Sequence, residues 1–146
     1  MNIYLASRYS RIDELNRYKQ QLEKLGQSVT SRWLKGEHQI HGADAFQSTR
    51  KTELDSPEKA ALFAKDDVED LAAADVVICF TEKPRAESTR GGRHVEFGMA
   101  LALNKRLIVI GPRENVFHCL PEVEHWETWD AFFEYWGRVI KPRFNP

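Results

Sequence analysis

The chain has 146 residues, 42% of them hydrophobic and 29% charged, and a formal net charge of -1. That is the size of one domain, about 100–200 residues, and a charge so close to zero excludes a polybasic nucleic-acid binder and an acidic tail. No apolar run approaches the ~20 residues of a membrane span, and neither signal-peptide pattern nor metal or redox cysteine spacing is present, so one cytoplasmic domain over residues 1–146 is expected.

Ile3 to Ala6 is a short apolar run that predicts a buried first strand. Ile12, Leu15, Tyr18, Leu22 and Leu25 then recur at helical spacing, with Gly26 as the stop. Ser28 to Trp33 reads as a second, weaker strand. Lys35 to Leu54 is polar, holds Gly36, His38, His41 and Gly42, and is expected to be a long loop with at most a short helix. Ser56 as N-cap and Pro57 at the first helical position open a helix that runs to Ala74. Its apolar stripe is Ala60, Phe63, Ala64, Val68, Leu71 and Ala74, and Asp67 lies on the same face, whereas Asp66 turns about 100° toward solvent. Asp75 follows as support for the helix-strand junction. Val76 to Phe80 has the unbroken apolar character of a parallel strand covered on both faces. Thr81 to Thr89 is a polar loop, Gly91-Gly92 a tight turn, and the residues from His94 onward a helix apolar nearly all round, hence expected to be buried. Leu107 to Ile110 is another buried strand closing at Gly111-Pro112. The last helix, Trp129 to Ile140, packs through Phe132, Phe133 and Trp136, and Arg143 to Pro146 is a short tail.

This alternation predicts a flavodoxin-like, doubly wound parallel sheet in a three-layer α/β/α sandwich. Ligands of such sheets bind at the carboxyl ends of the strands, which collects Ser7-Arg8, Thr81 to Glu96 and Gly111 to His118 on one rim. Two carboxylates then stand out, because each interrupts an apolar face. Glu96 is expected in the first turn of its helix, where the helix dipole and free N–H groups favour an anion. A carboxylate kept ionised and poorly hydrated there serves as a nucleophile or base. Asp67 is its inward-facing partner, and two such groups suit a displacement at a sugar carbon. His38 and His41 could form half a metal site, but no second pair has ligand spacing, so neither metal nor cofactor is expected. Trp33 could stack on a base, although an aromatic closing a strand is more often core.

Tyr4 in IYLAS, Asp67 in KDDVEDLAAADVVI, and Gly92 four residues before Glu96 in GGRHVEFGMALALNKR together resemble the nucleoside 2-deoxyribosyltransferase family, including its related 2′-deoxynucleoside 5′-monophosphate N-hydrolases, over about Ile3 to Trp129. The resemblance implies a homo-oligomer that cleaves the N-glycosidic bond of a small-molecule nucleoside or nucleotide, with active sites near subunit interfaces and no nucleic-acid or membrane partner. It further implies Glu96 as the nucleophile that forms a covalent glycosyl intermediate, Tyr4 as the residue that orients it, and Asp67 as the group that holds the base and manages its proton. Six residues before the nucleophile, where the transferases carry an acid and the hydrolases a serine, this chain has Arg90. A guanidinium suits a phosphate and cannot accept a proton from a sugar hydroxyl. Ser7 and Arg8 resemble the hydrolases' phosphate loop, and Arg93 adds charge, so a 5′-monophosphate and transfer to water stand beside a nucleoside and transfer to a second base. Asn115 and His118 occupy the segment that in the family reaches a neighbouring subunit's site, whereas the tail from Arg143 matches the family's tail unclearly. Two other readings remain at this stage. One is a cytokinin-activating phosphoribohydrolase, whose PGGxGT pattern is absent here; the other is a nucleotide-sensing module without turnover.

Overall fold

The computed structural model describes residues 1–38, 56–83 and 91–140. The expected loop around His41, the loop that ends at Arg90, and the tail from Arg143 lie outside these residues.

Five parallel strands form one sheet in the order β2-β1-β3-β4-β5. They are β1 (Asn2–Ala6), β2 (Ser28–Val29), β3 (Val76–Phe80), β4 (Arg106–Ile110) and β5 (Val123–Trp126). Among the described residues, four α-helices cover the sheet: α1 (Ile12–Lys24), α2 (Pro57–Ala72), α3 (Gly92–Ala102) and α4 (Trp129–Ile140). The flavodoxin-like fold expected from the sequence is the one observed, with order 2-1-3-4-5 and the chain reversing direction between β1 and β3. Helices α1 and α4 share one face, where Tyr18 stacks on Trp129 with ring centroids 4.3 Å apart and Trp129 Nε1 donates to Gln21 Oε1. Helices α2 and α3 pack together on the other face.

The central strands are continuous apolar runs because both faces are covered: Ile3, Tyr4, Leu5 and Ala6 are fully buried, and all five residues of β3 are buried. Tyr4 pairs with Val77 and Ala6 with Cys79, which brings the ends of β1 and β3 together. At the junction before β3, Asp75 Oδ2 accepts the Asn2 N–H at 2.8 Å, the supporting role expected of it. Among the described residues, no helix is long and apolar enough to cross a membrane.

Three expectations need correction. The second strand stops at Val29, and Arg32–Lys35 forms a 3-10 turn. Side chains there replace the backbone ladder: Ser31 Oγ accepts the Leu5 N–H at 2.7 Å and Trp33 Nε1 donates to the Leu5 carbonyl at 2.9 Å. Strand β5 was not foreseen, since only Val123 of its four residues is buried and the sheet edge imposes no apolar run. Helix α3 is buried through Arg93, Phe97 and Ala100, but Val95 is 64% and Leu103 53% exposed, so it is not covered all round within one chain.

Gly111 ends β4 with φ +112, and a Cβ there would lie 2.6 Å from Thr81 Oγ1 and 2.9 Å from the Thr81 carbonyl oxygen. Gly111→Ala should therefore cost roughly 2–4 kcal/mol in urea unfolding. Gly137→Ala, in α4 with nothing within 4 Å of the added carbon, should instead gain about 0.5–1 kcal/mol; equal effects would refute this account of the β4 end.

Candidate active site

The site begins at the centre of β1. Tyr4 is fully buried, and its hydroxyl donates to Glu96 Oε1 at 2.6 Å across the boundary between sheet and helix layer. Burial first, then the Glu96 and Asp67 charges, push the phenol far above its ordinary value, so it remains a donor. Glu96 is partly buried on the fifth residue of α3, because the helix opens at Gly92 rather than near His94. It therefore lies beyond the first turn, and the compensation expected from the helix terminus comes instead from Tyr4. Burial pushes the Glu96 carboxyl up to about 8, the Tyr4 hydrogen bond opposing and the Asp67 charge adding. The expected permanently ionised carboxylate is thus a carboxyl that titrates just above neutrality.

Helix α2 brings the second carboxyl. Ser56 Oγ accepts the Lys59 N–H and Pro57 occupies the first helical position, as the sequence predicts. The stripe differs from expectation: Ala64 and Val68 are exposed, while Ala60, Asp70 and Leu71 are buried. Asp67 is half-buried on this helix, and burial foremost pushes it up to about 6, with His38 opposing and Asp70 and Asp66 adding. The Asp67 charge raises the Glu96 carboxyl, which links the two groups electrostatically. Asp66 is 36% exposed and meets Arg32 Nη1 at 3.2 Å.

The rim lies where β1, β3 and β4 end. Ser7 Oγ is buried without a hydrogen-bond partner among the described residues. Arg8 Nη1 meets Glu82 Oε2 at 3.0 Å, and Arg93 Nη2 meets Glu114 Oε2 at 2.5 Å. Glu114 also accepts the Glu82 N–H at 2.9 Å and faces His94 Nε2 at 3.4 Å. Both arginines are thus held by carboxylates, which makes this part of the rim close to neutral. Gly91 carries the left-handed turn with φ +78, and Gly92 is the exposed first residue of α3. Arg90 lies outside the described residues.

The remaining candidates sit in the scaffold. Trp33 is buried, with its N–H committed to Leu5, and Tyr9 lies 6.1 Å from its ring. Asn115 Oδ1 caps the 3-10 turn Val116–Cys119 by accepting the Phe117 N–H at 3.0 Å. His118 is buried, its Nδ1 accepts the Glu114 N–H at 3.1 Å, and burial, ahead of its neighbours' charges, lowers its affinity for a proton. Residues the sequence reading passed over are Arg32, Glu82 and Glu114. Arg32 draws on three acids of α2, with Nε on Asp70 Oδ1 at 2.7 Å, Nη1 on Asp66 and Nη2 on Glu69. The acidic run from Asp66 to Asp70, on successive turns of one helix, was the available signal for a nearby cation.

The 2-deoxyribosyltransferase of the psychrotolerant bacterium Bacillus psychrosaccharolyticus has a similar structure, with TM-score 0.62 and 18% identity over 96% of each chain. The CMP N-glycosidase of Clostridium botulinum is similar too, with TM-score 0.56 and 19% identity over 95% of this chain and 99% of that one. No curated protein sequence matches the chain. The description of the family that the sequence matches, over residues 3–127, is nucleoside 2-deoxyribosyltransferase. A match across most of the domain, spanning Tyr4, Asp67 and Glu96, means that the chain belongs to the nucleoside 2-deoxyribosyltransferase family.

Proposed function

We propose that this protein cleaves the N-glycosidic bond of a deoxynucleoside or nucleoside 5′-monophosphate, with Glu96 as nucleophile. The observation that carries this reading is the Glu96 carboxyl, held by the Tyr4 hydroxyl at 2.6 Å and coupled electrostatically to Asp67. In the reaction an ionised Glu96 oxygen forms a bond to the anomeric carbon as the bond from that carbon to the base nitrogen breaks. The electron pair leaves with the base, which takes a proton from Asp67. A second base, or water, then bonds to the anomeric carbon as the bond to Glu96 breaks, and its proton passes to the Asp67 carboxylate, which restores both carboxyls. A module that only sensed nucleotides would have no need of carboxyls that titrate so near neutrality.

Between about pH 6 and pH 8 the pair holds one proton, chiefly on Glu96, which has the higher value, and the productive arrangement is the minor one with that proton on Asp67. Below that window both carboxyls are protonated and no nucleophile exists; above it both are ionised and the base leaves unprotonated. Base release from deoxycytidine and CMP, followed by chromatography, should therefore give a bell-shaped kcat/KM profile with limbs near 6 and near 8. Glu96→Ala should lose about 10³-fold or more. Tyr4→Phe removes the interaction that lowers the Glu96 value, so it should reduce the rate and move the upper limb to higher pH. Wild-type turnover by Glu96→Ala would end the proposal.

The 5′ end of the substrate faces the rim. Arg8 and Arg93 are matched there by Glu82 and Glu114, so a phosphate competes with carboxylates already in place. Glu82→Gln should raise the ratio of kcat/KM for CMP over that for cytidine roughly threefold to tenfold, and Arg8→Gln should lower it. An unchanged ratio in both variants would remove these residues from phosphate selection.

The proposal includes a homo-oligomer. Support comes from Leu62 on α2, Val95 on the neighbouring α3 and Leu103 just past the end of α3, which are 65%, 64% and 53% exposed. Light scattering should show an assembly in solution that Leu103→Glu dissociates; a monomeric wild type would refute it.

A further inference from the structure

His38 is a titratable group with a buried side chain that the reaction above leaves unused. Its side chain is 7% exposed and its ring stacks on Phe63, with centroids 4.5 Å apart and planes at 23°. That stacking sets the ring plane so that both nitrogens face α2. Nδ1 lies 3.4 Å from Asp67 Oδ1, and Nε2 lies 3.5 Å from Asp66 Oδ2. His38 Nδ1 and Asp67 Oδ1 are both buried, and among the described residues neither has a hydrogen-bond partner at normal geometry. They face one another, and closing a few tenths of an ångström makes a direct bond; active-site hydrogen bonds are often long before substrate is present.

We propose that His38 is a positioning residue for Asp67: its Nδ1–H donates to Asp67 Oδ1, fixes the plane of the carboxyl, and leaves Oδ2 to meet the departing base. This rests on the reading of Asp67 as the group that manages the base's proton. The imidazolium is the ring form that presents an N–H to both Asp66 and Asp67. A cation at that position also stabilises the Asp67 carboxylate that remains once the proton has gone to the base. Among the described residues, the charged and titratable groups around the ring are Asp66 and Asp67, Arg32 on Asp66, and Lys59, whose Nζ lies 5.6 Å from the Phe63 ring centre. Asp70 acts on Asp67 from the following turn of α2, and Asp67 is in turn coupled to Glu96 and Tyr4.

Two substitutions separate the two ring nitrogens. His38→Asn keeps a donor near the Nδ1 position, toward Asp67, whereas His38→Gln keeps one near the Nε2 position, toward Asp66. The carboxyl carbon of Asp67, identified by its loss in Asp67→Asn, is followed by carbon-13 NMR as pH is raised. In the wild type it should titrate near 6. In His38→Ala and His38→Gln the midpoint should rise by about one pH unit, because a favourable positive neighbour and its hydrogen bond are gone. In His38→Asn it should rise less. Base release from deoxycytidine and CMP should fall roughly 10–100-fold in His38→Ala and His38→Gln, recover in part in His38→Asn, and fall no further when His38→Ala is added to Asp67→Asn. An unmoved midpoint, or identical behaviour of His38→Asn and His38→Gln, overturns the proposal, and the contrast between those two holds even if His38→Ala does not fold. Wild-type base release by Asp67→Asn would instead overturn the role of Asp67 in the reaction, while the NMR result would still decide whether His38 positions its carboxyl.

Discussion

The hydrogen bond from Tyr4 to Glu96 is the constraint on which the rest of the site depends. A phenol at the centre of a fully buried strand has few rotamers and no water, so its oxygen is a fixed point. Helix α3 brings a carboxyl to that point, and α2, packed on α3, brings a second one into electrostatic reach. Glu96 needs no cation beside it, because it can hold a proton instead. Burial thus raises two ordinary acids, Asp67 to about 6 and Glu96 to about 8, so that both titrate around neutral pH.

The rim works on the opposite principle. Arg8, Glu82, Glu114 and Arg93 alternate in sign and are linked by side-chain contacts and by the Glu82 N–H, so charge there is satisfied locally rather than stored as protons. This separates two tasks. The carboxyl pair is left free to bind protons, and the rim orders the ends of β1, β3 and β4. Arg32 does the same for α2, where Asp66, Glu69 and Asp70 gather on one guanidinium. Without it, three like charges on adjacent turns would oppose the helix that carries Asp67.

Much of the architecture was legible because both faces of the central strands are covered: β1, β3 and β4 show as unbroken apolar runs, and the capping residues of α2 mark its start. Glu96 and Asp67 were legible for a related reason, since a carboxylate within an apolar pattern is conspicuous. What escaped was whatever depends on residues far apart in sequence. The strand expected from Ser28 to Trp33 failed because Ser31 and Trp33 side chains, rather than backbone groups, complete the edge of β1. Glu82 and Glu114 were passed over because only the sheet brings them to the arginines. His38 carried a weak metal signal, whereas its observed neighbours are two aspartates and a phenylalanine. The apolar character of α3 was read as burial within one chain, although part of that surface is open.

The position of Glu96 in the second turn of α3, rather than the first, bears on the proposed chemistry. At a helix N-terminus, free N–H groups and the dipole would lower its affinity for a proton. A carboxylate stabilised in that way is a weaker nucleophile toward a sugar carbon. Beyond the first turn it keeps one donor, the Tyr4 hydroxyl, which only partly offsets burial. The ionised oxygen is therefore basic and reactive, yet the same basicity makes it a poorer leaving group when the glycosyl ester must be broken. A carboxyl close to neutrality balances these two demands, because neither the formation nor the breakdown of the ester is favoured at the other's expense. In that balance Tyr4 has a second task beyond orientation: its hydrogen bond keeps burial from carrying Glu96 so high that the ionised form becomes scarce.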